Sequence, residues 1–434
     1  MGARHGILDV ARLPIISSTN VWLPRFNGHF SREPPSGCRM SSQDTNPAIS
    51  ASSAKRLDPA RFDSSLQESI DAILRNQSAT GAIVASPDFA QYHFCWLRDG
   101  SFSAFALDRA GEYEASARYH AWVNDAIGGI SGIIDDVIEK MQRGDQLDPT
   151  IMPPARFALD GTSVIDDWPN FQIDGYGTWL WSLGQHLIES NQPTLPKELR
   201  SSVARAARYL TTFALSPCYD VWEENGSAVH TSTLASVYGG LMTAARLLDD
   251  PDLLDSAGVV KTRLDEAVMH GVYVKSSENS DVDASELWLL TPFASVDVND
   301  GTFAETVATI EDRLTLDGGI RRYPTDVYFG SGAWPVLTAS LGWYAVTIGD
   351  VAKAKRCLDW VAAHFDEAGL LGEQYGGEGR DAPHYDEWVE RWGQPAKNLT
   401  WSYAMYVILM IAIDEAENGN ASYRVSNEVN EGGR

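Results

Sequence analysis

Between residues 61 and 417 apolar positions recur at helical spacing, in two alternating styles. In "PKELRSSVARAARYLTTF" (196–213), Leu199, Val203, Ala206, Leu210 and Phe213 fall on one stripe, predicting an amphipathic helix with a solvated back and Pro196 in its first turn. The next segment, "TSTLASVYGGLMTAARLL" (231–248), aligns Leu234, Val237, Leu241 and Leu248 yet is apolar almost all round, as a helix covered on both sides should be. The alternation returns where "WPVLTASLGWYAV" (334–346), apolar throughout, precedes "VAKAKRCLDWVAAHF" (351–365), striped by Val351, Ala354, Leu358, Val361 and Phe365. Buried helix, short turn, amphipathic helix is the pattern of stacked helical hairpins. About twelve helices are predicted this way, which suits an all-α (α/α)6 barrel of six inner and six outer helices. An α-solenoid is the alternative, but no fixed repeat period runs through the chain.

Outside that stretch the pattern stops. Residues 1–58 mix Arg, Pro, Ser and Gly without periodicity and read as a flexible leader, with Met40 an alternative start. Residues 59–418 read as one helical domain carrying the chemistry, with no internal linker, and 419–434 as a polar tail. The longest apolar run, "WSYAMYVILMIAI" (401–413), falls short of the roughly 20 residues that span a bilayer and reads as a buried helix. The first residues lack the uninterrupted apolar core of a signal peptide, so a cytoplasmic location is expected.

Charge narrows the partners. With 59 acidic against 34 basic residues the net charge is -25, which repels nucleic acid and anionic membrane and favours neutral or cationic small ligands. The four cysteines (Cys38, Cys95, Cys218, Cys357) are widely spaced, so reduced thiols are expected rather than a zinc site or a disulfide framework. The nine histidines show no ligand-like pairing, and "DVNDG" (297–301) lacks the spacing of a calcium loop and reads as a turn. No metal or cofactor is expected.

The candidate chemistry lies in five loops that mix aromatic, carboxylate and Arg side chains: "YHFCWLRDG" (92–100), "DDWPNFQIDGYG" (166–177), "CYDVWEENG" (218–226), "RRYPTDVYFGSGAW" (321–334) and "LLGEQYGG" (370–377). Aromatic faces stack on the apolar faces of sugar rings, while Asp, Arg and Gln meet hydroxyl groups through charge-assisted hydrogen bonds. An all-core reading of these tryptophans leaves the neighbouring charges without partners, which is costly. Glycoside hydrolysis needs one protonated carboxyl to donate to the leaving oxygen and one ionised carboxylate on the opposite face. Trp222 as an apolar wall and Glu224 as a like charge would both raise the pKa of Glu223, suiting it to donate; Glu224, diverging from it, is expected to bind substrate.

Together these loops resemble the catalytic domain of glycoside hydrolase family 15, the glucoamylase and glucodextranase family, over about residues 60–417. "YDVWEENGS" is similar to the family's general-acid segment, which makes Glu223 the acid, and "GEQY" to its general-base segment, which makes Glu373 the base. "LTWSYA" (399–404), with Trp401, is the closing motif expected after it. "WLRD" resembles the segment that grips the sugar's non-reducing end, through Arg98 and Asp99 with Tyr92 and Trp96 on the wall. "WPNFQIDG", with Trp168 covering the pocket and Asp174 behind it, and "RYPTDVY", with Arg322, Asp326 and Tyr328, resemble its other sugar-binding loops; Trp222 and Glu224 complete the expected substrate set. The resemblance implies hydrolysis with inversion, releasing β-glucose from the non-reducing end of α-glucosides, with the carboxyl groups about 6.5–9.5 Å apart to admit a water.

Three departures from the family's familiar members point toward a short substrate. No starch-binding module or β-sandwich domain is expected beside the helical domain, no secretion signal is expected, and a charged insertion, "GGEGRDAPHYDEWVERWGQPAKN", separates "GEQY" from "LTWSYA". A closed pocket for a small α-glucoside such as isomaltose, with α-1,6 linkage ahead of α-1,4, is therefore expected. An α-1,4-preferring glucoamylase and a trehalase are the nearest alternatives; a phosphorylase on the same barrel and a non-catalytic carbohydrate-binding relative are more remote.

Overall fold

The computed structural model describes residues 64–164, 168–377 and 380–419. The predicted leader, residues 1–58, and the predicted tail past Gly419 lie outside the described residues. Within them the chain forms α1 (Ser64–Arg75), α2 (Leu97–Arg109), α3 (Tyr113–Gly129), α4 (Ser131–Arg143), α5 (Asp174–Glu189), α6 (Arg200–Phe213) and α7 (Thr231–Leu248). It continues through α8 (Asp252–Asp265), a 3-10 helix (Ala284–Leu289), α9 (Gly301–Leu314), α10 (Pro335–Thr347), α11 (Val351–Ala362), α12 (Ala382–Trp392) and α13 (Thr400–Glu417). Three antiparallel pairs of two-residue strands brace the loops, β1 (Cys95–Trp96) with β2 (Arg156–Phe157), β3 (Val268–Met269) with β4 (Val272–Tyr273), and β5 (Thr315–Leu316) with β6 (Gly319–Ile320).

Packing sorts the helices into two rings. α2 lies against α5, α5 against α7, α7 against the 3-10 helix, that helix against α10, α10 against α13, and α13 back against α2. Around this closed ring run α1, α3, α6, α8, α9 and α11, so the fold is an (α/α)6 barrel. α4 and α12 stand outside the twelve; α4 packs on α6 and α3, and α12 on the turn at Tyr328–Gly330.

The two styles of patterning account for the two rings. Every residue of α2 is buried, and so is nearly every residue of α10, which a ring enclosed on both sides requires. On α6 the predicted stripe of Val203, Ala206, Leu210 and Phe213 is buried, and each large member stabilises the fold by about 1.5–3 kcal/mol. α6 begins at Arg200 rather than at Pro196, because Leu199 N bonds back to Pro196 O and makes a separate turn. α5 and α7 cross at glycine: a Cβ on Gly177 would come within 2.4 Å of Ser236 O, so no side chain fits there. The short fourth inner element is held by a capping box, with the Asp283 side chain accepting from Ser285 N and Glu286 reaching back to Asp283 N. Asp300 of the "DVNDG" turn caps α9 by accepting from Thr302 N and Phe303 N. Cys95, Cys218 and Cys357 are free and buried, and no helix among the described residues is long and apolar enough to cross a membrane.

Candidate active site

All five motif loops enter inner helices at the same end of the barrel: they run into α2, α5, α7, α10 and, past α12, α13. Trp96 pairs with Arg156 across β1 and β2 and the chain turns at once into α2, which puts Arg98 and Asp99 on its first turn. Asp174 opens α5. Arg98 is buried, with Nη1 3.0 Å from Asp174 Oδ2, Nε 3.4 Å from Asp99 Oδ2, and its guanidinium 5.5 Å from the Trp401 ring centroid. Burial pushes the Asp99 carboxyl up to about 6 despite Arg98, and the nearby charge of Glu223 adds to the rise. Trp401 packs between Phe102 and Trp288 beneath Arg98, a floor more than a wall.

A turn with left-handed backbone presents Glu223. Its φ is 67° and that of Asn225 is 54°, a conformation costing on the order of 1 kcal/mol for a residue with a Cβ. Asp220 holds the turn in this shape: Oδ1 accepts from the backbone N–H groups of Trp222 and Glu224, each at 2.9 Å, and its carbonyl accepts from Glu223 N at 2.9 Å. Buried Lys275 in turn holds Asp220, with Nζ 3.0 Å from Asp220 Oδ2 and 2.6 Å from Asp283 Oδ2. Asp283 also accepts from Trp222 Nε1, at 3.0 and 2.9 Å to its two oxygens. Trp222 is thereby drawn into the core.

Glu223 takes its aromatic hydrogen bond from Trp96, whose indole N–H donates to Glu223 Oε1. Withdrawal from water raises the Glu223 pKa, while the charge of Arg98 and hydrogen bonds from Trp96, Gln172 and Trp168 pull it down. Glu224 is not the like charge that raises it: its carboxylate turns to Arg322, at 3.3 Å, and to the hydroxyl of Tyr323. Adjacent side chains diverge, and the two neighbouring glutamates end on different walls.

Glu373 is buried. Glu373 N donates to Ala396 O at 2.9 Å, and the next loop is fixed by the paired backbones of Ala333 and Tyr375. Tyr92 donates its hydroxyl to Glu373 Oε1 at 2.8 Å and lies 2.8 Å from the Tyr328 hydroxyl, which is 3.4 Å from Glu373 Oε2. Burial pushes Glu373 up to about 7, against the lowering effect of both tyrosines and of Arg322. The Tyr92 ring meets Trp96 edge-on with centroids 5.6 Å apart, so a single aromatic wall runs from Glu373 to Glu223. Trp96 continues it edge-on to Trp168, at 5.8 Å.

Arg322 anchors the remaining side. It makes a two-pronged ion pair with Asp326, through Nε to Oδ2 at 3.0 Å and Nη2 to Oδ1, and lies within 5.7 Å of the ring centroids of Trp222, Tyr323, Tyr328 and Trp334. Pocket side chains thus pair charge with charge across aromatic faces, an arrangement suited to a neutral, hydroxyl-rich ring.

The profile of glycosyl hydrolases family 15 matches residues 60–380. The chain belongs to that family. An isomaltose glucohydrolase of Kribbella flavida is 37% identical over 365 residues, covering 81% of this chain and 92% of its own. A wild-type glycosidase of known structure, 36% identical, matches with a TM-score of 0.78 over 82% of this chain and 99% of its own, and a glycosidase in complex with glucose matches equally well. Glucoamylase from Saccharomycopsis fibuligera, 17% identical with a TM-score of 0.63 over 85% of this chain and 98% of its own, shares the fold.

As a family 15 member the protein is a glycoside hydrolase. At this end of the barrel, contacts link Glu223, Tyr92, Trp96, Arg98, Asp99, Asp174 and Trp168 to Glu373 and Tyr328, and Arg322 to Asp326 and Glu224. Trp222 and Trp401 support these residues from the core side. Sequence reading missed Gln172, which touches Arg98, although it stands inside the quoted "WPNFQIDG". It also missed Arg156, stacked 3.8 Å from the Trp168 centroid and 4.3 Å from that of Phe94, and the Lys275–Asp283 pair. None of these last three carries a local motif, so only the fold reveals them.

Proposed function

We propose that this family 15 hydrolase is an inverting, exo-acting α-glucosidase, with residues 59–418 as its catalytic domain, releasing β-glucose from the non-reducing end of isomaltose and short isomalto-oligosaccharides. The observation that carries the reading is the aromatic bridge between two carboxyl groups of raised pKa: Glu223 held by Trp96, Trp96 packed on Tyr92, and Tyr92 bonded to Glu373. Glu223 gives its proton to the glycosidic oxygen as the bond to the anomeric carbon breaks. Glu373 takes a proton from a water, whose oxygen bonds to that carbon from the opposite face, so the product is the inverted anomer. In the free enzyme burial raises both carboxyl groups, Glu373 to about 7, so the division into donor and acceptor follows the family motifs rather than the resting pKa values.

Arg98, Asp99, Asp174 and Trp168 grip the glucosyl ring, with Arg322, Asp326, Tyr328 and Glu224 on its other flank. A short substrate is favoured by α12, from the charged insertion, whose Trp388 packs on Tyr328 with centroids 4.8 Å apart, beside the residues proposed to hold the glucosyl ring. The α-1,6 preference is favoured by the likeness to an isomaltose glucohydrolase. The test is to offer maltose, isomaltose, kojibiose, nigerose, trehalose and dextran to the purified protein and follow the released anomer by NMR. Fastest release of β-glucose from isomaltose supports the reading. Faster turnover of maltose or trehalose makes it a glucoamylase or a trehalase, and release of α-glucose removes the inverting mechanism.

A further inference from the structure

Far from the carboxyl pair, three polar side chains from three helices meet inside the barrel. Asp108 stands in the last turn of α2, His186 in the last turn of α5, and His120 on α3. Along α2 this is about 13 Å from Asp99 at 1.5 Å per residue, at the end opposite the candidate active site. One ligand atom from each of the three lies within 4.8 Å of the other two. Asp108 is 0% exposed, His120 1% and His186 8%.

The cluster is only half explained by its own bonds. Asp108 Oδ1 is 2.7 Å from His186 Nδ1, and its Oδ2 accepts from Ser116 Oγ at 2.8 Å. The His120 ring lies 5.1 Å from that of His186, centroid to centroid, and hydrogen-bonds through neither nitrogen to any described residue. An imidazole buried so completely without a partner is costly, and here it is aimed at a carboxylate and a second imidazole. The surroundings favour positive charge. Arg109 bridges Glu189, at 3.1 Å, and Glu415, and the negative charge of Glu189 also reaches Asp108. The carbonyl ends of α2 and α5 point to the same place, adding negative potential.

We infer that Asp108, His120 and His186 bind a first-row divalent metal ion of the zinc class. Two imidazoles and one carboxylate suit such an ion, whereas calcium and magnesium take oxygen ligands. The ion ties two inner helices to an outer one and acts on stability, at a distance from the sugar chemistry.

The test uses the full chain, dialysed against a chelator and then titrated with Zn²⁺ alone, with bound zinc measured by emission spectroscopy and unfolding followed thermally. The expected result is one tightly held equivalent per chain and a Tm that rises with zinc and falls again on chelation, with kcat unchanged. His120→Gln loses both the equivalent and the Tm response; should that variant not fold, His186→Gln carries the same comparison. Wild-type protein that binds no stoichiometric zinc overturns the inference, because the cluster is then a solvent-bridged polar contact. Binding that survives undiminished in the variants also overturns it, since the metal is then held elsewhere.

Discussion

Replacing Tyr92 with phenylalanine removes one hydroxyl and keeps the ring that packs edge-on against Trp96. That hydroxyl donates to Glu373 Oε1 at 2.8 Å, and a hydrogen bond to a charged acceptor contributes about 1.5–3 kcal/mol. The bond favours the ionised carboxylate, so its loss raises the Glu373 pKa. At about 1.36 kcal/mol per unit, the lower figure corresponds to a rise of about one unit. The lower figure is the relevant one because the Tyr328 hydroxyl, 3.4 Å from Glu373 Oε2, still donates to the carboxylate when Tyr92 no longer does. Glu373 starts at about 7, and a base must be ionised to work, so the acid limb of kcat/KM moves from near pH 7 toward about pH 8. At pH 7 the ionised fraction falls from about one half to about one tenth, roughly a five-fold loss of rate; the loss grows to about ten-fold in acid and fades in alkali. Initial rates of glucose release from isomaltose across that range, for both proteins with matched circular dichroism, read the limb directly as a property of the coupled pair. A loss of the same size at every pH, or a limb that moves down, would refute the claim that Tyr92 sets the charge state of Glu373.

The other predictions concern the acid, the base, the support of the turn and the approach to the pocket. Glu223→Gln should lose disaccharide hydrolysis by about 10²–10⁴-fold yet keep most of its turnover of α-glucosyl fluoride, whose leaving group needs no proton. Glu373→Gln should lose both substrates by a similar factor, since each needs the water activated, as glucose assays on the paired substrates would show. Lys275→Met leaves buried Asp220 and Asp283 without their counter-charge. It should cost about 3–5 kcal/mol in denaturant unfolding. Trp388→Ala takes away the ring packed on Tyr328 and should raise turnover of dextran relative to isomaltose. An unchanged ratio would show that α12 does not limit substrate length.

What could be read from the chain was whatever repeats or sits together locally. The all-apolar run at 231–248 forms α7 over those same residues, because a helix enclosed on both sides has no solvated face to confuse the pattern. The fourth inner element escaped that logic: Ala284–Leu289 is six residues of 3-10 helix, too short for a 3.6-residue period to show, and it is held by the cap at Asp283. α4 and α12 are amphipathic like outer helices but pack outside the ring, a distinction that only tertiary contacts make. In the site, motif loops were legible because their functional side chains lie within a few residues of one another. That the hydrogen bond to Glu223 comes from Trp96, while the Trp222 indole N–H goes to Asp283, had no local signal.

The left-handed turn at Glu223 explains the adjacency of two carboxylates that do different things. Three consecutive side chains leave the turn in three directions: Trp222 down to Asp283, Glu223 across to Trp96, and Glu224 over to Arg322. A strand would send them alternately to two faces only. The turn is not a favoured conformation, so it persists because Asp220 accepts its backbone N–H groups and Lys275 neutralises Asp220. The same lysine neutralises Asp283, which caps the short inner helix and receives the Trp222 indole. One buried charge therefore couples the barrel's shortest inner element to the orientation of the proposed proton donor. Damage to Lys275 should accordingly lower kcat along with stability, whereas a core truncation such as Leu210→Ala on α6, far from this network, should cost stability alone.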